Sequence, residues 1–514
     1  MDISLQVGAG EWFLSLFRDF VGTPAILVGL LAMLGAILLR KKATEIITTF
    51  FKTAAGFLIV TGGATVISGA LTNFQALFTD LFNINGIIPN NDAFAGWFFS
   101  NYAAISQLGS IVMVVAMILN LILAYTSRFK YIFLSGHVLF YMSVMLSGVM
   151  ILSGLDVNTV GGYAVALISS STILSVYMVL SCAMLYKWTK QITKVDTITV
   201  AHTGSLSYLM GGLIGELVYK IKKGKNIKST EDIKFPKGLQ FFRNTFISMA
   251  ITMLVVYLIV YVPQGIMYQT GIKLLSANNP NYDIINDLFK PGAATNWIVK
   301  CIIEAFTFAA GVEIVLLGVR MIVGELVPSF KGISDKLIKN AKAGIDCPVV
   351  FPYAPNAVLI GFVCSVIGAI VGLGLSVAIS SSNNIIAIIL PGITAQFFLG
   401  ATTGVFGNVK GGLIGCIVAS FLNGIIITFV PIMFSAAGWT PSNATLGWGD
   451  TDYFLGAIPG LLSLPSSIGV KYGLLLAIPI AAYVGLVIDG LLKRFVFDKR
   501  KAAKIQQPEI GINE

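Results

Sequence analysis

The sequence predicts an all-α polytopic membrane protein, and three observations predict it. About eleven apolar stretches are each long enough to cross a bilayer, whose hydrocarbon is roughly 30 Å thick and takes about twenty helical residues. Of the 514 residues, 56% are hydrophobic and only 11% charged, more apolar surface than a water-soluble core needs. The basic residues fall almost entirely in alternate connecting loops.

Candidate spans run near residues 22–39, 53–72, 103–126, 131–153, 161–186, 245–266, 297–319, 356–379, 384–406, 411–434 and 472–492. Each is expected to be a helix, because lipid offers backbone groups no other partner. Arg40, Lys41 and Lys42 follow the first span, Arg128 and Lys130 the third, and a lysine-dense stretch from 187 to 243 the fifth. Arg320, Lys331, Lys336, Lys339 and Lys342 follow the seventh, Lys410 the ninth, and Lys493 and Arg494 the last. Loops 73–100 and 435–470 contain no Lys or Arg, and Lys273 and Lys290 are the main exceptions on that side. The expected orientation is N-terminus outside and C-terminus in the cytoplasm. A formal net charge of +10 then reflects positive-inside sorting rather than affinity for nucleic acid.

The first twenty residues carry Asp2, Glu11, Arg18 and Asp19 and lack the basic start and apolar run of a cleavable signal. They read as a short interfacial helix with Trp12, Phe13, Leu16 and Phe17 on its apolar side. The five cysteines are scattered without metal-ligand spacing, so neither zinc nor a disulfide framework is expected. Nor is there a phosphate-cradling glycine loop, a two-histidine zinc motif or a nucleophile elbow, and no cofactor is expected.

Two pairs of short matches recur at an offset of about 250 residues: Phe133 to His137 with Ile389 to Ile393, and Gly161-Gly162 with Gly411-Gly412. An odd number of spans per half inverts the second half. The working architecture is therefore two inverted five-helix repeats plus a terminal helix, with the substrate between the repeats.

Three places interrupt the helical pattern, and interrupted helices are where carriers expose backbone groups to cargo. Ile345 to Val358 packs Pro348, Pro352 and Pro355 beside Asp346, which no regular helix tolerates. Ile389 to Asn408 begins with Pro-Gly and reads either as a re-entrant half-helix or as a kinked span. Val200 to Leu217 is uncharged within the cytoplasmic stretch and reads as a hairpin dipping into the protein. The two histidines, His137 and His202, both stand beside such breaks, where an imidazole faces protein or water rather than lipid. Other intramembrane charges have bland readings: Lys300 with Glu304 and Asp489 with Lys493 are one helical turn apart, while Glu313 and Arg320 lie two turns apart on one face.

Several separated segments carry a family resemblance over nearly the whole chain. The run from Gly318 to Ile338, Ala343 to Cys347, Ala354 to Val358, Leu38 to Ile47, Leu134 to Met142 and Pro391 to Phe406 resemble, in order and spacing, the enzyme IIC component of the ascorbate-type phosphoenolpyruvate-dependent phosphotransferase system. That resemblance implies an eleven-span homodimer in the bacterial cell membrane, with residues 1–495 as the permease domain and 496–514 as a short cytoplasmic tail. It further implies a scaffold and a substrate-carrying core that moves like an elevator. The cargo, ascorbate or a related sugar acid, is phosphorylated inside by a separate IIB protein that a IIA protein recharges. The lysine-rich stretch is then part of the IIB docking surface.

Carried over by position, the family's ligand contacts fall on Asn91 and Asp92, on His137, Val138, Leu139, Phe140 and Tyr141, on His202 and Thr203, and on Asp346. The chain departs from the family at Tyr141 and Thr203, where glutamines are usual, and at Asp92, where an aromatic is common. These departures leave the identity of the sugar open. The alternatives are an ion-coupled secondary transporter with Asp346 and the histidines as proton sites, and a membrane-embedded enzyme, for which no nucleophile–base cluster is present.

Overall fold

The computed structural model describes residues 24–82, 86–233, 245–338, 340–382, 386–442 and 444–493, apart from positions 274, 277, 278 and 280. The interfacial helix expected in the first twenty residues, part of the lysine-rich stretch and the terminal tail lie outside the described residues. The chain is mostly helical. Among the described residues, five helices are long and apolar enough to cross a membrane, as a multi-pass membrane protein requires.

One group of helices comprises α1 (Pro24–Leu38), α2 (Ala43–Phe82), α8 (Thr245–Gln269) and α10 (Trp297–Leu337). The long pair α2 and α10 approaches closely at two glycines: a Cβ at Gly63 would stand 2.7 Å from Val315, and one at Gly311 2.7 Å from Ile67. Between lipid tails there is little hydrophobic force to join helices, so small residues that admit close backbones do that work. Buried here is Glu304, which accepts from Asn73 of α2 and Tyr261 of α8 and stands 3.5 Å from Lys300. The Lys300–Glu304 turn is thus one part of a four-residue cluster. Asp489, by contrast, pairs with Arg128 at 2.8 Å.

A second group is α4 (Ala103–Thr126), α5 (Gly136–Leu152), α6 (Val160–Thr193) and the last helix, α15 (Ile468–Leu492). A third packs α7 (Ser205–Ile221) and α11 (Pro355–Ser382) against one broken helix. That helix begins as α12 (Ile393–Ala395), passes through a π turn at Gln396–Gly400 and continues as α13 (Ala401–Ala436). At Gly412 the backbone takes φ 58°, ψ −151°, a conformation that glycine alone adopts without strain, and the chain doubles back. Ser420 after the turn then donates to the Gly400 carbonyl at 2.9 Å. Packing against α11 is at backbone contact, since a Cβ at Gly424 would meet the Ser365 carbonyl at 2.0 Å.

Two small parallel sheets interlock these groups. The first has β1 (Gly86–Pro89) between β5 (Ile388–Ile389) and β6 (Leu446–Gly447). The second has β4 (Lys342–Ile345) between β2 (Tyr131–Phe133) and β3 (Ile198–Val200). Each central strand therefore comes from one half of the chain and both of its neighbours from the other half.

The uncharged run from Val200 is not a hairpin by itself. It is a strand end followed by the single helix α7, whose Gly215 lies against Gly407. The proline cluster forms a 3-10 helix, Cys347–Tyr353, that hands over to α11 at Pro355. Lys410 stands over the Tyr219 ring, and Leu413 donates to the Lys228 carbonyl at 2.9 Å. The basic loops after α7 and before Gly412 accordingly share one end of the molecule.

Candidate functional site

Every strand of the two sheets runs directly into the amino end of a helix. β1 leads to α3 (Asn91–Asn101), β2 to α5, β3 to α7, β4 to the 3-10 helix at Cys347, β5 to α12, and β6 to a second 3-10 helix, Thr451–Gly456. Helix amino ends present unpaired N–H groups and partial positive charge, and parallel strands deliver all three ends of a sheet to one side. Residues from all six junctions line a single cavity of about 790 Å³. Its size fits a small-molecule site.

The junctions place the side chains as follows. After β1 come Asn91 and Asp92; Asn91 accepts from the Gly449 N–H at 2.8 Å, and Tyr141 of α5 donates to Asp92. Asn90 caps α3 by accepting from Ala93 at 3.0 Å, and its amide reaches Thr394 at 3.3 Å. After β2 comes His137, whose Nε2 stands 3.3 Å from Asp346 Oδ2. The other oxygen of Asp346 accepts from the Cys347 N–H at 2.7 Å, so the carboxylate is held by its own helix cap while one oxygen faces the imidazole.

After β3 comes His202. Its Nδ1 accepts from the Gly204 N–H at 3.1 Å and meets the Tyr208 hydroxyl at 2.8 Å. A nitrogen that accepts a backbone N–H carries no proton, so His202 is the neutral tautomer with its proton on Nε2. The ring of Phe398 lies 6.2 Å away.

After β6 come two acids with different tasks. Asp452 accepts from the Ser205 and Leu206 N–H groups at 2.9 Å each, and from the Ser205 and Tyr177 hydroxyls. It caps α7 from nearly the other end of the chain and is fully engaged. Asp450 is 1% exposed; Thr203 donates to its Oδ2, and its Oδ1 carries no hydrogen bond.

Of the residues expected from sequence, Asn91, Asp92, His137, Val138, Tyr141, His202, Thr203 and Asp346 line the cavity. Leu139 and Phe140 do not; both are buried in the apolar core, where Phe140 packs edge-on against Phe57 at 5.7 Å. Helical geometry explains the split. At about 100° per residue, positions 137, 138 and 141 share one side of α5 and positions 139 and 140 turn away. Asp450 and Asp452 were not anticipated, while Thr394 and Phe398, though not among the expected contacts, lie in the interrupted stretch Ile389 to Asn408 and line the cavity. The signal for the acids was present in Gly447 to Phe454, where two aspartates two residues apart stand in a loop without basic residues.

His202, Asp346 and Cys347 offer ligand atoms within 4.8 Å of one another. Three donors fall short of the four of a structural zinc site, and His202 Nδ1 is already engaged.

Over residues 19–452 the chain matches the family model of the sugar-specific permease component of the phosphotransferase system. It is 25% identical over 456 residues to the ascorbate-specific phosphotransferase EIIC component of Mycoplasma pneumoniae. That alignment covers 83% of this chain but 66% of the relative, so the chain spans just under two thirds of that protein's length. A match across more than four fifths of the sequence, on a helical membrane scaffold with one polar cavity, decides the family: the chain belongs to the sugar-specific permease components of the phosphotransferase system.

Proposed function

We propose that this chain is the membrane permease of a phosphoenolpyruvate-dependent phosphotransferase system, taking a small sugar or sugar derivative from outside to a IIB protein at the cytoplasmic face. The observation that carries the reading is the convergence of six strand-to-helix junctions on one polar cavity inside an apolar helical protein. Aromatic and imidazole rings beside carboxylates and amides are the groups that recognise a polyhydroxylated ring. Asn91, Asp92, His137, Val138, Tyr141, His202, Thr203 and Asp346 are the proposed contacts, with Leu139 and Phe140 supporting them from the core. Ascorbate, named in the relative, is one candidate cargo.

The proposal extends to architecture. Eleven spans form two inverted repeats and a final helix, supported by sheets in which each central strand is flanked by strands of the other half. The helices around α2 and α10 act as scaffold in a homodimer. The cavity-bearing elements move against them as an elevator, in a membrane with the N-terminus outside. Phosphorylation by IIB adds about two negative charges, and a dianion neither fits a cavity lined by carboxylates nor crosses lipid, so uptake runs one way.

Uptake into vesicles tests this. Transport that requires phosphoenolpyruvate and a IIB partner, with phosphorylated product inside, supports it. The His137–Asp346 pair favours a second reading, proton-coupled transport. Uptake that collapses with an uncoupler and continues without IIB selects that reading instead.

A further inference from the structure

Asp450 lies beyond the contacts that the sequence resemblance supplies, in the connection after β6. We infer that it is a substrate-recognition residue, and that it makes the cavity selective for an uncharged polyhydroxylated ligand, a sugar or sugar alcohol, over a sugar-acid anion. The inference rests on the permease reading above for the identity of the cavity, and refines it.

The first support is an unfilled acceptor. Asp450 is 1% exposed and borders the cavity, and only its Oδ2 is bonded, by the Thr203 hydroxyl. Oδ1 has no hydrogen bond, and the Asn91 side chain lies near the carboxylate. Asp452, two residues on, takes five donors and shows what a purely structural acid looks like in this segment. A buried carboxylate oxygen left unbonded is costly, and a ligand hydroxyl that donates to it removes that cost. Anions carry no such donor at their charged group.

The second support is the charge around the cavity. Asp92, Asp346 and Asp450 enter it from junctions of both sheets. His202 is neutral, because its Nδ1 accepts the Gly204 N–H. His137 is directed at Asp346, and Glu313 and Arg320 also line the wall. Four carboxylates (Asp92, Glu313, Asp346 and Asp450) thus face the cavity against the single guanidinium of Arg320, an excess that opposes a further carboxylate or enolate and offers acceptors to hydroxyls. Tyr141 donates its hydroxyl to Asp92, which removes one further donor from an anion.

Binding to the purified full-length protein in nanodiscs tests the inference, with isothermal calorimetry on a panel of pentitols, hexitols, their aldoses, ascorbate and gluconate. At least one uncharged compound is expected to bind ten times more tightly than either anion. Asp450→Asn, which keeps shape and size, is expected to lose at least tenfold affinity for that compound and to narrow the gap to the anions. Tighter binding of ascorbate or gluconate than of every uncharged compound overturns the inference, as does absence of binding by all uncharged compounds. Unchanged affinity in Asp450→Asn overturns the assignment of the residue. Should that variant fail to fold, the ranking in the unaltered protein still decides. None of these measurements involves IIB or phosphoenolpyruvate, so failure of the phosphotransferase reading would appear separately, in the vesicle uptake.

Discussion

Glu304 and Asp450 are both carboxylates buried in the membrane-embedded body of the protein, yet their surroundings differ in one respect. Glu304 sits among α2, α8 and α10 with Asn73, Tyr261 and Lys300 around it, away from the cavity. Asp450 sits at the cavity with one oxygen bonded and the other open. A saturated acid holds helices together, and an unsaturated one at a cavity wall is available to cargo. Depth in the membrane alone does not distinguish the two roles.

The comparison breaks most readily at Glu304. Glu304→Ala leaves three polar partners uncompensated, and we expect a loss of about 3 kcal/mol in stability. Thermal unfolding in nanodiscs measures it, and the folded fraction should bind cargo with unchanged affinity. A binding defect without a stability loss would erase the distinction.

At the cavity the pattern should reverse. His137→Ala and Asp346→Asn each remove a wall group while leaving core packing intact. Calorimetry should show at least a hundredfold weaker binding, about 2.7 kcal/mol, with the melting temperature within a few degrees of the parent. Equal affinity in either variant would take that residue out of the site.

Packing supplies a control of intermediate size. Gly424→Ala pushes a methyl group to within 2.0 Å of the Ser365 carbonyl, and overpacking of this kind costs about 1–3 kcal/mol. The stability loss should come with weaker binding, because α13 continues the broken helix that starts as α12 at the junction after β5.

The smallest effect is expected outside the membrane spans, at Asp80. Burial alone would raise its carboxyl, but hydrogen bonds from Lys273, Tyr268 and Gln264 outweigh burial and hold it below the ordinary value of 3.8. Because the folded value lies below the unfolded one, the stabilisation is fully present above about pH 4 and is lost as pH falls further. Hydrogen exchange around residues 264–273 should therefore be flat from pH 5 to 8 after correction for intrinsic rates. Asp80→Asn should accelerate it there; no acceleration would show that this anchor is immaterial.

Much of the site was legible in the sequence, because polar residues inside apolar runs are conspicuous. His137, His202 and Asp346 each announce themselves beside a glycine or proline break, and all three line the cavity. Asp450 escaped because loop 435–470, without Lys or Arg, reads as an outer connection; only β6 pairing with β1 draws it inward. The strands themselves are two to four residues long, too short for any alternation of polar and apolar positions to show. Leu139 and Phe140 entered the expected contacts as parts of a continuous motif, although helical rotation turns them away. The helices α2 and α10 run beyond the apolar windows at 53–72 and 297–319, because the residues flanking those windows stay helical.

The central claim is that the two interlocked sheets jointly form the cargo chamber. A cryo-electron microscopy map of the full-length protein with bound cargo tests it most directly. The account predicts ligand density in contact with junctions of both sheets, His137 and Asp346 from one and Asp92 or Asp450 from the other. Density lodged elsewhere, or touching the junctions of one sheet alone, would contradict it.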